Sequence, residues 1–254
     1  MNPIHIIGMG RLGSALHHAW RAAGLGITDR IEQAGVVVLT VPDDAVADVA
    51  ASLAGRLDPA GSPVVLHCAG ALDSSILLPS GAAAVGTLHP VQTVPGPDPE
   101  ADAASLFGAW AGVEGDPAAV AVASELATAA GLRPVELTAE SKPLWHAAAV
   151  LACNDLVALL HVADRLLVGA AGVPEGVQVL LPLVRKTLDN VQDKGLAASL
   201  TGPVARGDSG TVARHLQALA PHPEARAVYE ALDAAARDLA GRRAAGGPAD
   251  PSDG

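Results

Sequence analysis

The chain has 254 residues, of which 50% are hydrophobic, yet its aromatic residues are only three Trp, one Tyr and one Phe. This length suits one large core or two small ones, which we expect to be built from closely packed Ala, Val and Leu. Sixteen Lys and Arg against 27 Asp and Glu give a net charge of −11, so nucleic acid is not expected as a partner.

The beginning of the chain alternates short apolar runs with helical patterns. "PIHII" ends in a glycine turn, "GSALHHAWRAAG" has helical spacing, and "GVVVLTVPDD" is a continuous β-branched run typical of a parallel strand buried on both faces. "SPVVLHCAG", "AAAVGTLHP", "AWAGVEG" and "RPVELT" continue the series. The alternation predicts a doubly wound α/β domain over residues 1–138.

Beyond residue 138 only helical periodicity is present, which predicts an all-α domain over 139–243 and a solvated tail over 244–254. The longest apolar stretch, 144–173, is interrupted by charged and polar residues, so we expect a buried helix there and not a membrane span. Cys68 and Cys153 are far apart, and the first residues lack the charge and hydropathy pattern of a secretory signal. A cytoplasmic protein without a disulfide framework is therefore expected.

Three glycines form G-x-G-x-x-G between the first predicted strand and the first predicted helix: Gly8, Gly10 and Gly13. In this context the motif predicts a dinucleotide site, in which the turn and the helix N-terminus receive the pyrophosphate. The neighbouring Arg11 and Leu12 belong to the same predicted site, and Arg11 could add a charge-assisted contact. The alternative is a turn that serves only the packing of helix against strand.

The segment after the first helix is short for a dinucleotide unit. Only twelve residues, 24–35, lie between that helix and the "VVVLTVP" strand, too few for a full second strand with its own helix. Two interpretations remain open. In the first, "LGIT" is a vestigial strand, so that Asp29 could bind the ribose hydroxyls and Arg30 could bind a 2′-phosphate. In the second, "TDRIEQAG" is merely a helical turn, and the adenosine half of the pocket is missing.

The sequence resembles a bacterial family of Rossmann-like proteins with a C-terminal helical domain of unknown function, related to the 6-phosphogluconate dehydrogenase and ketopantoate reductase group. The resemblance rests on "GMGRLGSAL", "LTVPDDAV", "LHCAGAL", "TLHPVQT", "KPLWHAAAVLACN" and "LTGPVARGD", and so covers nearly the whole chain. It implies a helical domain of the 6-phosphogluconate dehydrogenase type, NADP or NAD as cofactor, oxidoreductase activity and a homodimer.

Strand ends in an open parallel sheet face the ligand crevice, and the polar residues there are candidate site residues. Val41 and Pro42 follow one strand and are expected beside the nicotinamide. His67 and Cys68 follow the next, where Cys68 is also expected near the cofactor but is better explained as a small buried side chain than as a nucleophile. His89 follows another strand, as a proton donor or substrate anchor, or as a structural residue that fixes the turn at Pro90.

The predicted long helix carries the remaining catalytic candidates. Lys142 and His146 are four residues apart and share a face. The resemblance implies a catalytic Lys early in this helix, which Lys142 matches, whereas His146 stands where an Asn would be expected. His146 or Lys142 is the candidate acid, and Asn154 would orient a carbonyl; alternatively, these polar groups satisfy hydrogen bonds between helices.

The motif "LTGPVARGD" joins two predicted helices. Arg206 is a candidate clamp for a substrate carboxylate, and Asp208 is better explained as the N-cap of the helix that begins near Ser209. No metal-binding or hydrolase motif is present, so neither chemistry is expected.

The combined prediction is an NAD(P)-dependent oxidoreductase acting on a small carbonyl or hydroxy acid. Two alternatives stay open: a degenerate Rossmann scaffold with a regulatory or assembly role that no longer binds a dinucleotide, and a cofactor-independent enzyme that uses His89 and His146.

Overall fold

The fold is described from a computed structural model, which covers residues 3–244. The N-terminal part of the chain forms a six-stranded sheet in the order β1-β2-β3-β4-β5-β6. The strands are β1 (Ile4–Ile7), β2 (Val36–Leu39), β3 (Val64–His67), β4 (Ala84–Val91), β5 (Trp110–Gly115) and β6 (Arg133–Glu136). All neighbouring pairs are parallel except β4 and β5, which pair antiparallel and so depart from the all-parallel sheet that we predict.

The sheet is buried on both faces. In β2, Val36 and Val38 belong to one apolar cluster, whereas Val37 and Leu39 belong to a second one. Successive side chains of a strand point to opposite faces, so both faces must be covered. The helices of this unit are α1 (Arg11–Ala22), α2 (Val46–Ser52), α3 (Pro99–Leu106), α4 (Pro117–Ala129) and α5 (Lys142–Ala152). The predicted doubly wound α/β fold with a helical C-terminal part is confirmed.

The second strand of an ordinary dinucleotide unit is reduced to a single β-bridge. Ile27 pairs with Ile4 in parallel, through hydrogen bonds from Ile4 N to Gly26 O and from Thr28 N to Ile4 O. A 3₁₀ turn at Ile31–Gln33 then leads into β2. Both sequence interpretations are therefore partly realised: the strand is vestigial, and the residues that follow it form a turn of helix.

Two compact units divide the chain between Cys153 and Asn154. The change in sequence periodicity predicts a boundary at 138/139 instead. The two boundaries differ because α5 is helical and yet belongs to the first unit. The second unit contains α6 (Asn154–Arg165), α7 (Leu181–Ser199), α8 (Gly202–Ala205), α9 (Ser209–Ala218) and α10 (Pro223–Ala244). Ala244 ends α10, and the rest of the predicted tail, 245–254, lies outside the described residues.

The apolar stretch predicted as a buried helix is helical, but its residues are exposed or half-buried. Lys142–Ala170 is long and apolar enough to cross a membrane, and none of its most apolar window is buried. The backbone departs from helical geometry at Cys153 (φ −118°, ψ −73°), which separates α5 from α6. The prediction of burial is wrong because periodicity identifies an apolar face but not what covers it.

Candidate active site

The glycine turn packs tightly on one side and is open on the other. Gly8 has a φ of +101°, and a Cβ there would lie 2.8 Å from Thr40 O. A Cβ on Gly13 would collide with Gly8 O and with Thr40 Oγ1. In contrast, a Cβ on Gly10 would meet no atom within 4 Å. The turn therefore needs Gly8 and Gly13 for packing, whereas the absence of a side chain at Gly10 leaves open space in front of the backbone.

Gly10 is also the N-cap residue of α1, where no side chain caps the helix. The first N–H groups of a helix lack intrahelical partners and carry the positive end of the helix dipole. The open space at Gly10 thus adjoins donors suited to a phosphate, and a pyrophosphate fits this turn.

The other predicted residues around the turn take distinct places. Val41 Cγ1 would lie 2.9 Å from a Cβ on Gly8, so Val41 packs directly on the turn. Leu12 packs against the main apolar cluster. Arg11 is exposed, and its aliphatic stem lies against Gly96. Pro42 is exposed and precedes a 3₁₀ turn.

Asp29 and Arg30 follow the vestigial strand and are both exposed. A Cβ on the preceding Gly26 would meet no atom within 4 Å. The backbone in this segment is held by His5, whose Nδ1 lies 2.9 Å from Thr28 O. Side chains at the tip of this short segment are accordingly available to a ligand.

The strand register aligns the ends of the first four strands. Ile7, Leu39, His67 and Thr87 are successive partners across β1 to β4. Three strand spacings of about 4.8 Å separate the first from the last, about 14 Å in all. The glycine turn follows Ile7, and His89 lies two residues beyond Thr87. This edge of the sheet therefore carries the glycine turn at one end and an imidazole at the other.

Two imidazoles form a pair at the β4 end of this row. The rings of His89 and His146 meet edge to face, with their centroids 5.3 Å apart. The Nδ1 atom of each ring is buried and has no hydrogen-bond partner among the described residues. Burial is the main cause that lowers the pKa of His89 to about 4, with Lys142 the next contributor. His89 is therefore neutral at pH 7.

His89 does not mark a strand end, as the sequence suggests. It lies inside β4, which continues to Val91 because β5 pairs with it, and Gly112 is its direct partner. Two glycines make room for the helix that faces this strand. A Cβ on Gly70 would collide with the His146 ring, and a Cβ on Gly112 would lie 3.0 Å from Trp145 Nε1.

Lys142 is completely buried. Its Nζ donates hydrogen bonds to Thr87 Oγ1 at 3.0 Å and to Ala69 O at 3.4 Å. Burial lowers the pKa of Lys142, while the Glu114 carboxylate opposes that shift. Glu114 is itself buried and accepts hydrogen bonds from Ser74 N at 2.9 Å and Ser74 Oγ at 2.8 Å. Lys142 thus belongs to a polar network inside the protein.

His67 and Cys68 are also buried. Ala69 N donates to His67 Nδ1 at 3.1 Å, and His67 Nε2 lies 3.1 Å from Asp73 O, which fixes a neutral tautomer with its proton on Nε2. Burial lowers the pKa of His67 to about 4 and raises that of the Cys68 thiol to about 12. Cys68 therefore behaves as a small buried side chain, in agreement with the sequence interpretation.

The last predicted residues lie in the second unit. Asn154 is the exposed first residue of α6, and Arg206 is exposed at the end of α8. Their catalytic and substrate-binding roles stay predictions. The capping role of Asp208 is confirmed, because its Oδ1 accepts a hydrogen bond from Thr211 N at 2.9 Å at the start of α9.

The polar network contains three residues that no sequence motif identifies: Thr87, Glu114 and Ser74. Thr87 and Glu114 are direct partners across β4 and β5. Both look like ordinary strand residues in the sequence, and Glu114 joins Ser74 across 40 positions. The sequence feature that points to this network is Glu114, a charged residue inside the otherwise apolar strand "WAGVEG".

A protein-family model, the domain of unknown function DUF2520, matches residues 109–236, just over half of the chain. The chain belongs to the DUF2520 family. No curated protein matches the sequence. The relation to 6-phosphogluconate dehydrogenase and ketopantoate reductase stays a prediction.

Solved structures share the fold of this DUF2520 protein at low sequence identity. Protein TM1727 from Thermotoga maritima is 23% identical with a TM-score of 0.74, covering 94% of this chain and 99% of that one. The "putative NADP oxidoreductase" BF3122 from Bacteroides fragilis is 21% identical with a TM-score of 0.72, covering 93% and 98%. Plasmodium falciparum pyrroline carboxylate reductase, solved with NADP bound, is 12% identical with a TM-score of 0.58, covering 94% and 98%. These likenesses establish the Rossmann-like fold.

Proposed function

We propose that this DUF2520 protein is an NAD(P)-dependent oxidoreductase that acts on a small carbonyl compound or hydroxy acid. The observation that carries the proposal is the open space in front of Gly10, beside the unpaired donors of α1 and within a turn whose other glycines are needed for packing. A turn kept only for packing would not need glycine at position 10, because the φ of Gly10, −74°, suits any residue.

The short segment after α1 also supports a dinucleotide. A degenerate scaffold predicts that side chains close the adenosine side, but Gly26 faces open space and Asp29 and Arg30 are exposed. Asp29 would bind the ribose hydroxyls of NAD, and Arg30 would bind the 2′-phosphate of NADP.

When bound, the nicotinamide supplies or accepts the hydride. We assign the accompanying proton transfer at the substrate oxygen to His146, which lies on the helix face directed at His89. His89, neutral at pH 7, holds the same oxygen by a hydrogen bond. Lys142 is buried and already donates hydrogen bonds to Thr87 and Ala69. It therefore acts as a positioning residue that fixes the loop after β3, which the His146 ring contacts at Gly70.

The charge around the imidazoles favours an electron-rich substrate. The buried cation is Lys142, and the buried carboxylate, Glu114, has both oxygens occupied by Ser74. An imidazole N–H at this place can donate a hydrogen bond to a carbonyl or carboxylate oxygen of the substrate. A small 2-keto acid or its hydroxy acid fits this environment.

The first experiment is a fluorescence titration of the protein with NADPH and NADH. Gly10→Asp places a carboxylate where the phosphates would lie, and the open space allows it to fold. Gly241→Asp, at an equally open and exposed helical glycine of α10, is the matched control. We expect saturable binding by the wild type and the control and its loss in Gly10→Asp. A folded wild type that binds neither nucleotide at millimolar concentration would overturn the proposal.

The His89 and His146 pair also supports a second candidate, a cofactor-independent isomerisation or elimination. The 5.3 Å between the ring centroids places both imidazoles within reach of one small substrate. The second chemistry requires no nucleotide. Turnover of a hydroxy acid without NADPH or NADH would therefore favour this second candidate.

A further inference from the structure

The indole of Trp145 adds a third nitrogen to the two unpartnered imidazoles. Within residues 3–244, the buried side-chain nitrogens without a hydrogen-bond partner are Trp145 Nε1, His89 Nδ1 and His146 Nδ1. Most buried polar side-chain atoms in proteins have a partner, and a buried donor without one is costly. If the three atoms lie together, one bound group can satisfy all of them.

The strand register places the indole nitrogen beside His89. Gly112 is the direct partner of His89 in the antiparallel pair of β4 and β5. Side chains of such partners lie on one face of the sheet, with their Cβ atoms about 5 Å apart. Trp145 Nε1 lies 3.0 Å from the place that a Cβ of Gly112 would take, and His146 of the same helix meets the His89 ring. The three nitrogens therefore share one layer between α5 and the sheet.

The adjoining half of this layer is paired within the protein. Thr87 and Glu114 are also direct partners across β4 and β5, two residues along from the unpartnered group and so on the same face. Thr87 Oγ1 accepts a hydrogen bond from Lys142 Nζ, and the two Glu114 oxygens accept from Ser74. The buried carboxylate of this layer is thus already engaged.

The chemistry of the three nitrogens favours an anionic acceptor as their partner. An indole N–H can only donate a hydrogen bond, and a neutral imidazole can donate from either nitrogen. The Lys142 ammonium is close enough to act electrostatically on His89, and a positive charge attracts a negative group to this place. A carboxylate has two oxygens that together accept several hydrogen bonds, so it suits this layer better than a neutral group does.

We propose that Trp145 Nε1 donates a hydrogen bond to the carboxylate of a small 2-keto acid whose carbonyl oxygen is held by His89 and His146. Trp145 is then a specificity residue that separates keto acids from neutral carbonyl compounds. The assignment rests on the proposed function, because it takes the imidazole pair as the place where the carbonyl reacts. In a 2-keto acid the carboxylate is bonded directly to the carbonyl carbon, so donors on neighbouring side chains can hold both groups at once.

NMR of the indole N–H groups tests this assignment on the full chain, labelled with ¹⁵N-tryptophan and titrated with oxamate. Oxamate is a stable analogue of a 2-keto acid. Acetamide, in which a methyl group replaces the carboxylate, is the matched neutral probe. Trp145→Phe and Trp110→Phe assign the signals of the three Trp residues. Trp20, whose Nε1 donates to Leu126 O at 2.8 Å inside the core, shows that each variant is folded.

We expect millimolar oxamate to move the Trp145 signal downfield and acetamide to leave it in place. By calorimetry, Trp145→Phe should weaken oxamate binding by about 10- to 100-fold, the factor that a hydrogen bond to a charged group contributes. Trp110→Phe, at a half-exposed position of β5, should bind oxamate like the wild type.

Two results would overturn the assignment. One is a Trp145 signal that does not respond to oxamate, either with or without NADPH, which would leave the indole N–H to a buried water. The other is an equal response to acetamide, which would show that the carboxylate is not recognised. Failure of nucleotide binding together with a Trp145 response to oxamate would instead overturn the proposed function alone.

Discussion

The His146 ring lies directly over Gly70, in space that the Cβ of any other residue would occupy. The same ring makes an edge-to-face contact with His89. Two elements far apart in the chain, the loop after β3 and helix α5, are thus fitted together through one glycine. The orientation of the proposed proton-transfer residue depends on the backbone that follows a strand.

Gly70→Ala should therefore displace the His146 ring. Overpacking at a well-packed site costs about 1–3 kcal/mol of the free energy of unfolding. We expect a loss of this size in urea denaturation, together with reduced turnover and unchanged nucleotide affinity. In a His146→Ala background the ring is absent, so adding Gly70→Ala should cost much less. Equal costs in the two backgrounds would show that the ring is not what the new methyl group meets.

Replacement of His146 by Gln tests its chemical role. Gln has a similar size and can hydrogen-bond, but it cannot transfer a proton. General acid–base catalysis contributes about 10²- to 10⁴-fold. With a 2-keto acid that the wild type reduces, kcat should fall by that factor. NADPH affinity should be unchanged. His89→Gln should have a smaller effect, and His18→Gln, at an exposed position of α1, none. A His146→Gln enzyme with full kcat would exclude His146 as the acid.

The sequence predicted the elements that depend on local patterns. The run Val36–Leu39 forms a strand buried on both faces, Gly8 and Gly13 pack the turn, and Asp208 caps α9. Each of these features follows from neighbouring residues. The motif spacing also identifies Gly10, where a Cβ would meet no atom within 4 Å.

The polar network could not be predicted in the same way. Glu114 lies opposite Thr87 in the antiparallel pairing of β5 with β4 and contacts Ser74 across 40 positions, and a short apolar run does not specify the direction of its strand. The burial of Lys142 depends on tertiary packing as well. A helical face shared with His146 predicts that the two residues are neighbours, but not that one of them is enclosed.

Removal of the buried cation should destabilise the protein. In Lys142→Met, Glu114 loses the positive charge that compensates its own burial, and Thr87 Oγ1 loses a donor. Leaving a buried polar group without its partner costs about 1–3 kcal/mol, and more for a charged group. We expect such a loss in urea denaturation, and a smaller one in the double variant Lys142→Met/Glu114→Gln, where no uncompensated charge remains. A double variant less stable than Lys142→Met would show that Glu114 and Lys142 are not electrostatically coupled.

The buried histidines make stability depend on acid pH. The pKa values of His67 and His89 are about 4 in the folded state against 6.5 for a free imidazole. Because the folded-state values are depressed, their stabilising contribution is complete above pH 6.5 and is lost as the pH falls through 4. A difference of about 2.5 in pKa corresponds to roughly 3 kcal/mol for each group at the acid limit.

Urea midpoints between pH 7 and 4 measure this loss. For His67, protonation at Nδ1 would also break the hydrogen bond from Ala69 N. We expect His67→Gln and His89→Gln each to reduce the slope of stability against pH in this range, whereas His18→Gln, at an exposed position, should keep the wild-type slope. If all three variants kept that slope, neither buried imidazole would be responsible, and the acid sensitivity would have to come from the carboxylates.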